Sequence, residues 1–274
     1  MLRTRIILVI SAIALIALIF SLPRVVVEND AESVTQNPDQ PDGETPRSTD
    51  THTSGLNDNT QAKAAKLKQQ LTLAGNSEKS ITFADSLAEL YLNANKYDSA
   101  ARFFEIIADQ KPTVDNWLRT ADTYYEAYGF AMDRNKQALM GEKAREFYTK
   151  VMDANPDNLA VKNKIAMTYL STNNPMQGIM MLREILQSDP DNEDALFNLG
   201  VLSMQSGQHD KAVERFSNLV SKYPGNTQAQ FFLGVSYLEV GNKAKAREQF
   251  ELVKSLDDDP AVQSTVDSYL ENIE

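Results

Sequence analysis

Residues 193–226 read EDALFNLGVLSMQSGQHDKAVERFSNLVSKYPGN, and residues 227–258 read TQAQFFLGVSYLEVGNKAKAREQFELVKSLDD. Laid one under the other, they agree at their small and aromatic positions. Leu199-Gly200 stands over Leu233-Gly234, Gly207 over Gly241, Ala212 over Ala246 and Phe216 over Phe250, each pair 34 residues apart. Working outward, Pro156, Pro190 and Pro224 keep the same 34-residue interval, and Pro112 closes an earlier unit.

The unit 159–192 offers Ile165-Ala166, Tyr169, Gly178, Leu182 and Pro190. The unit 81–113 offers Leu87-Ala88, Tyr91, Tyr97, Ala100, Phe104 and Pro112. Between them, 114–158 offers Trp117, Ala121, Tyr124, Ala144, Tyr148 and Pro156. This recurrence resembles the tetratricopeptide repeat, a 34-residue helix-turn-helix unit with the pattern W-x₂-L-G-x₂-Y, then A-x₃-F, then P. The resemblance implies an all-α fold: a right-handed α-solenoid of about five units.

The residue types have a physical reason. The eighth position of the units is Ala88, Ala121, Ala166, Gly200 and Gly234, and the twentieth is Ala100, Ala144, Gly178, Ala212 and Ala246. Small side chains at both places let the two helices of a unit approach closely, while Tyr or Phe a turn later fills the next gap. Each helix pair has an apolar face it cannot bury alone, so the units stack and the two ends need covering. Residues 61–78 place Leu67, Leu71 and Ala74 on one helical face, and 259–274 align Val262, Val266, Tyr269 and Ile273; both read as caps.

Two units depart from the pattern. The second holds extra residues between Tyr124 and Ala144, including Tyr128, Phe130, Met132, Leu139 and Met140. They fit either two lengthened helices packed on each other or a protruding hairpin offered to a partner. The third carries Asn174-Pro175-Met176-Gln177-Gly178, where Pro175 suits the first position of a helix. Met167, Met176, Met180, Met181 and Met204 read first as core filling.

In the family the first helix of each unit lines a concave face. Carrying its inward positions over gives Asn163, Met167 and Leu170, then Phe197, Val201 and Met204, then Phe231, Val235 and Leu238. The expectation is an exposed apolar track, flanked by acids at Asp85, Glu89, Asp122, Glu126, Asp194 and Glu239, that takes an apolar helix or extended segment of another protein. Tyr128, Phe130 and Leu139 form a second candidate surface. The lysines with which some family members clamp a C-terminal carboxylate have no counterparts at these places, so that activity is not carried over.

Before the repeats, Ile6 to Leu22 is an apolar run broken only by Ser11 and Ser21. At ~1.5 Å per residue it spans roughly 25 Å, near the lower limit for a membrane crossing. An uncleaved anchor and a cleaved signal both fit, and the lack of an Ala-x-Ala step favours the anchor. Arg3 and Arg5 precede the run and acids follow it, which leaves the N-terminus in the cytoplasm and sends the rest across. Residues 24–60 hold eight acids and two arginines with few large apolar residues, and read as a disordered acidic tether.

The chain has 274 residues and a net charge of −11, without the dense basic face that phosphate backbones demand, so nucleic acid is not an expected partner. It has no cysteine and only His52 and His209, which leaves little for thiol catalysis, a His-based triad or a metal site. No phosphate loop or nucleophile elbow appears. Asp153-Ala-Asn155-Pro-Asp157 mimics the start of a calcium loop, but Asn158 takes the glycine place. No enzyme activity, cofactor or metal is expected. The expected role is a protein-binding scaffold on the extracytoplasmic side of a bacterial membrane, with self-association through the groove as a variant. The alternative is a holdase-like chaperone or assembly factor for exported proteins.

Overall fold

The computed structural model describes residues 57–273. The apolar run at 6–22, with the anchor expected there, and the tether up to residue 56 lie outside the described residues. Among those described, no helix is long and apolar enough to cross a membrane.

The described residues form twelve α-helices and no strand. They are α1 (Asp58–Ala74), α2 (Glu78–Asn93), α3 (Tyr97–Gln110), α4 (Val114–Gly129), α5 (Arg134–Ala154) and α6 (Leu159–Tyr169). There follow α7 (Pro175–Ser188), α8 (Glu193–Gln205), α9 (His209–Lys222), α10 (Thr227–Glu239), α11 (Lys243–Leu256) and α12 (Pro260–Glu271). Helices α2 to α11 make five consecutive pairs, and each second helix packs on the first helix of the next pair.

Local signals set the helix starts. Asn158, Asn192 and Asn226 each stand two residues after a repeat proline, and each side chain accepts the backbone N–H three residues on, at 3.1, 3.1 and 2.8 Å. Such a cap stabilises a helix by about 1 kcal/mol. Proline ends one pair and asparagine starts the next. The turn inside a pair takes a left-handed residue at Asn95 (φ 54°), Gly207 (φ 70°) and Gly241 (φ 78°). The third pair turns differently and enters α7 through Pro175.

Close helix approach holds each pair together. A Cβ on Gly200 would lie 2.7 Å from two ring carbons of Phe216, and one on Gly234 would lie 2.8 Å from Phe250. In the third pair the approach is tighter, because a Cβ on Gly178 would run into the carbonyl oxygen of Ala166. Phe104, Tyr148, Phe216 and Phe250 fill the corresponding gaps and are fully buried.

The extra residues of the second unit lengthen its helices: α4 has 16 residues and α5 has 21, against 13 and 14 in α8 and α9. Their overhang is braced on neighbouring units. Phe130 stacks on Tyr97 of α3 with centroids 5.0 Å apart, and Lys136 pairs with Asp98 at 2.6 Å. Helix α1 covers α2 through Ala64, Leu67 and Leu71, while α12 covers α11 through Val262, Val266 and Tyr269.

Candidate functional site

Consecutive first helices touch one another from α4 to α6, α6 to α8 and α8 to α10, so they form one continuous inner wall. The side chains on this wall pair between units rather than standing alone. Arg119 of α4 donates to Asp85 at 2.7 Å and to Glu89, both on α2. Lys164 of α6 donates to Asp122 of α4 at 2.6 Å. Asn198 of α8 donates to Asn163 of α6 at 3.1 Å. Phe232 of α10 meets Phe197 of α8 edge-on, with centroids 5.5 Å apart. Arg119, Lys164, Asn198 and Phe232 all hold the sixth position of their units, and each reaches the fifth or ninth position of the unit before. The inner wall thus grades from ion pairs through an amide pair to aromatic contact.

This pairing revises the expected acidic flank. Asp85, Glu89 and Asp122 are each matched by a cation, and Asp122 also accepts the Tyr148 hydroxyl at 2.6 Å. Burial, and then the Asp122 carboxylate, hold that phenol well above its ordinary range, so it stays a donor. Tyr125 is held up by burial first and then by Tyr128, Glu126, Asp194 and Asp122. Glu126 and Asp194 remain as exposed acids on the wall. Desolvation among its neighbours, followed by Glu193, holds the Asp194 carboxyl above the usual range despite Lys164.

The residues of the expected apolar track sit deeper than an exposed stripe. Met167, Leu170, Val201, Met204, Val235 and Leu238 are half-buried. Phe231 is only 9% exposed because Tyr269 of α12 packs edge-on against it at 5.3 Å. Phe197 is wedged between Phe216 and Phe232. Both rings are therefore core as much as surface, since the next first helix, or the terminal helix standing in its place, leans over the fifth position. What remains accessible is a shallow row from Met167 to Leu238.

The second candidate surface divides. Phe130 is 51% exposed, Leu139 48% and the neighbouring Met132 91%. Tyr128, by contrast, is half-buried and donates to the Met167 carbonyl at 3.1 Å, beside the Ser171 hydroxyl. It ties the overhang to α6. Met176 and Met180 are exposed on α7, whereas Met140 is buried.

Among the described residues, no group of three His, Asp or Glu side chains is placed to hold a metal ion. His209 stands 3.9 Å from Glu239 across the turn side of the last two units. A cavity of about 10 Å³ under Phe231, between α10, α11 and α12, has room for no more than one water.

Residues 163–214 and 203–266 both match the tetratricopeptide repeat family, which identifies tetratricopeptide repeats in this chain. A crystal structure of a tetratricopeptide repeat protein from Parabacteroides merdae is 16% identical with a TM-score of 0.54, over 78% of this chain and 82% of its own. That likeness shows the fold, an all-helical repeat solenoid. Also similar are MamA, at 18% identity and a TM-score of 0.47 over 67% of this chain and 94% of its own, and YrrB, described as having an unusual peptide-binding site, at 17% and 0.41 over 75% and 99%. No curated protein matches the chain. Tetratricopeptide repeats generally mediate protein–protein interaction and are typically non-catalytic.

Proposed function

We propose that this chain is a non-catalytic scaffold that holds an apolar helix or extended segment of another protein along its inner wall, on the extracytoplasmic face of a bacterial membrane. The observation that carries the binding reading is the half-buried row of Met167, Leu170, Val201, Met204, Val235 and Leu238. These side chains line a wall on which Arg119, Lys164 and Asn198 are already paired within the chain, so a partner gains by covering apolar surface. Glu126, Asp194 and Glu239 border the row and favour basic residues on the bound segment. The location rests on the apolar run at 6–22 and its arginine flank.

Two experiments test this. Val201→Glu with Leu238→Glu places charge on the row, and stoichiometric co-purification of a fixed partner with the full chain should be lost. Retention of the same partner at the same ratio would remove the row from the reading. Weak retention of many exported chains by the unaltered protein would favour the holdase alternative. For the location, the lack of native cysteine lets Ser264→Cys serve as a unique probe. A membrane-impermeant maleimide should label it in cells with a permeable outer layer and an intact plasma membrane; labelling only after lysis would refute the location.

A further inference from the structure

The overhang of the second unit ends in apolar side chains that stay open in a single copy. Met132 at its tip is 91% exposed, and Leu139 is 48% exposed. Phe130 stacks on Tyr97 and still keeps half of its surface open. On α5 the buried side holds Met140, Gly141 and Ala144, whereas Arg134, Asn135, Ala138, Leu139 and Glu142 form the exposed side.

The charges around this surface are mostly answered within the chain. Lys136 pairs with Asp98, Lys143 pairs with Glu105 and Glu146, and Asp133 accepts the Lys136 N–H as the cap of α5. Among the described residues, Arg134 and Glu142 make no ion pair, and both are exposed. They are opposite in sign and stand about two turns apart on α5, roughly 12 Å. Ala138 lies midway between them, with Leu139 beside it.

This order of cation, small and apolar residues, then anion answers itself under a two-fold rotation. A second α5 laid antiparallel, with the axis beside Ala138, puts Arg134 of each copy opposite Glu142 of the other. The small Ala138 side chain lets the helices approach at the axis, and Leu139 of both copies packs next to it. The tip at Phe130 and Met132 then lies alongside the α5 of the other copy. An anionic membrane surface calls for net basic charge, whereas these two charges sum to zero.

We propose that this chain forms a two-fold homodimer through the overhang, α5 against α5, with Arg134–Glu142 contacts on both sides of an apolar centre at Ala138 and Leu139. The occupant of this surface is a second copy of the chain. The contact is isologous, so association closes at two copies. A contact limited to one helix and its tip buries less than an obligate interface, so the dimer dissociates on dilution. It leaves the inner-wall row open and does not rest on the proposed function.

Sedimentation velocity on the full chain in detergent, over rising concentration, tests this. The unaltered chain should pass from one copy to two and no further. Arg134→Glu and Glu142→Arg each turn two attractive contacts into two repulsive ones, and each alone should weaken the dimer at least tenfold. Mixed one to one, the two variants should pair with each other. The new acid of one then faces the new arginine of the other, while the retained Arg134 and Glu142 face each other. Neither a loss of folding nor association through the apolar run at 6–22 predicts recovery on mixing. A single copy at every concentration for the unaltered chain, a dimer indifferent to both reversals, or a mixture that stays as single copies would each overturn the proposal.

Discussion

Replacing Gly200 by alanine sets two physical effects against each other. Alanine in a helix interior is favoured over glycine by about 1 kcal/mol. Against this, the new Cβ would stand 2.7 Å from Cε1 and Cζ of Phe216. Carbon atoms rest at about 3.5–4.0 Å, so the ring must retreat by roughly 1 Å. It has nowhere to go: Phe216 is fully buried, stacked on Phe232 with centroids 5.7 Å apart and edge-on to Phe197 at 5.8 Å. Overpacking of a tight core costs about 1–3 kcal/mol, which leaves a net loss of roughly 0–2 kcal/mol for Gly200→Ala. Gly129 ends α4, and a Cβ added there would meet no heavy atom within 4 Å, so Gly129→Ala should instead gain up to about 1 kcal/mol. Repeat solenoids unfold unit by unit, so hydrogen exchange of the α8 and α9 amides is the appropriate assay, with urea melts as support. Adding Phe216→Leu to Gly200→Ala should cost less than the two single losses summed, because the ring is the obstacle. If Gly200→Ala protected α8 as much as Gly129→Ala protects α4, the close crossing of α8 and α9 would be refuted.

Gly207→Ala and Gly241→Ala force a side chain into left-handed backbone and should each cost about 1–2 kcal/mol, read as lower melting temperatures, whereas Asn95→Gly at the matching turn should not destabilise. Tyr148→Phe removes the donor that Asp122 accepts inside the second unit and should cost about 1 kcal/mol in urea titration while the Lys164–Asp122 pair persists. Acid should loosen the overhang. Burial raises the Asp98 carboxyl, but Lys136, the Ser99 N–H and Arg102 together hold it below its ordinary 3.8. Its stabilising effect is present above 3.8 and lost as the pH falls through its lower folded value, so α5 amide protection should drop there in the unaltered chain and change less in Lys136→Met.

The repeat was legible because the helix crossings demand small residues at fixed intervals, and Gly200, Gly234, Ala212 and Ala246 display them openly. The all-helical solenoid is what the family resemblance carried by those positions implies. The lengthened α4 and α5 could not be told from a protruding hairpin, since apolar residues such as Met132 and Met140 suit either; the one ends exposed and the other buried. The inner wall was half legible. Reading it one unit at a time marks Asp85, Glu89 and Asp122 as a bare acidic flank and Phe197 and Phe231 as surface. Their partners sit one unit further on, where Arg119, Lys164, Asn198 and Phe232 occupy a single register position. That match of charge to charge, amide to amide and ring to ring was present in the sequence, and only a comparison between adjacent units brings it out. Tyr269 over Phe231 had a weaker signal, because the terminal helix departs from the repeat pattern.

Engagement of another protein by the inner wall, and not by the outer one, is the central claim. Site-specific photo-crosslinking tests it most directly, with a photoreactive phenylalanine analogue placed at Met204 and Leu238 on the inner wall and at Glu214 on the exposed side of α9. In intact native membranes, one dominant adduct from the two inner positions and none from Glu214 is the predicted result. Adducts from Glu214 with none from Met204 or Leu238 would contradict the claim and move the contact to the outer surface.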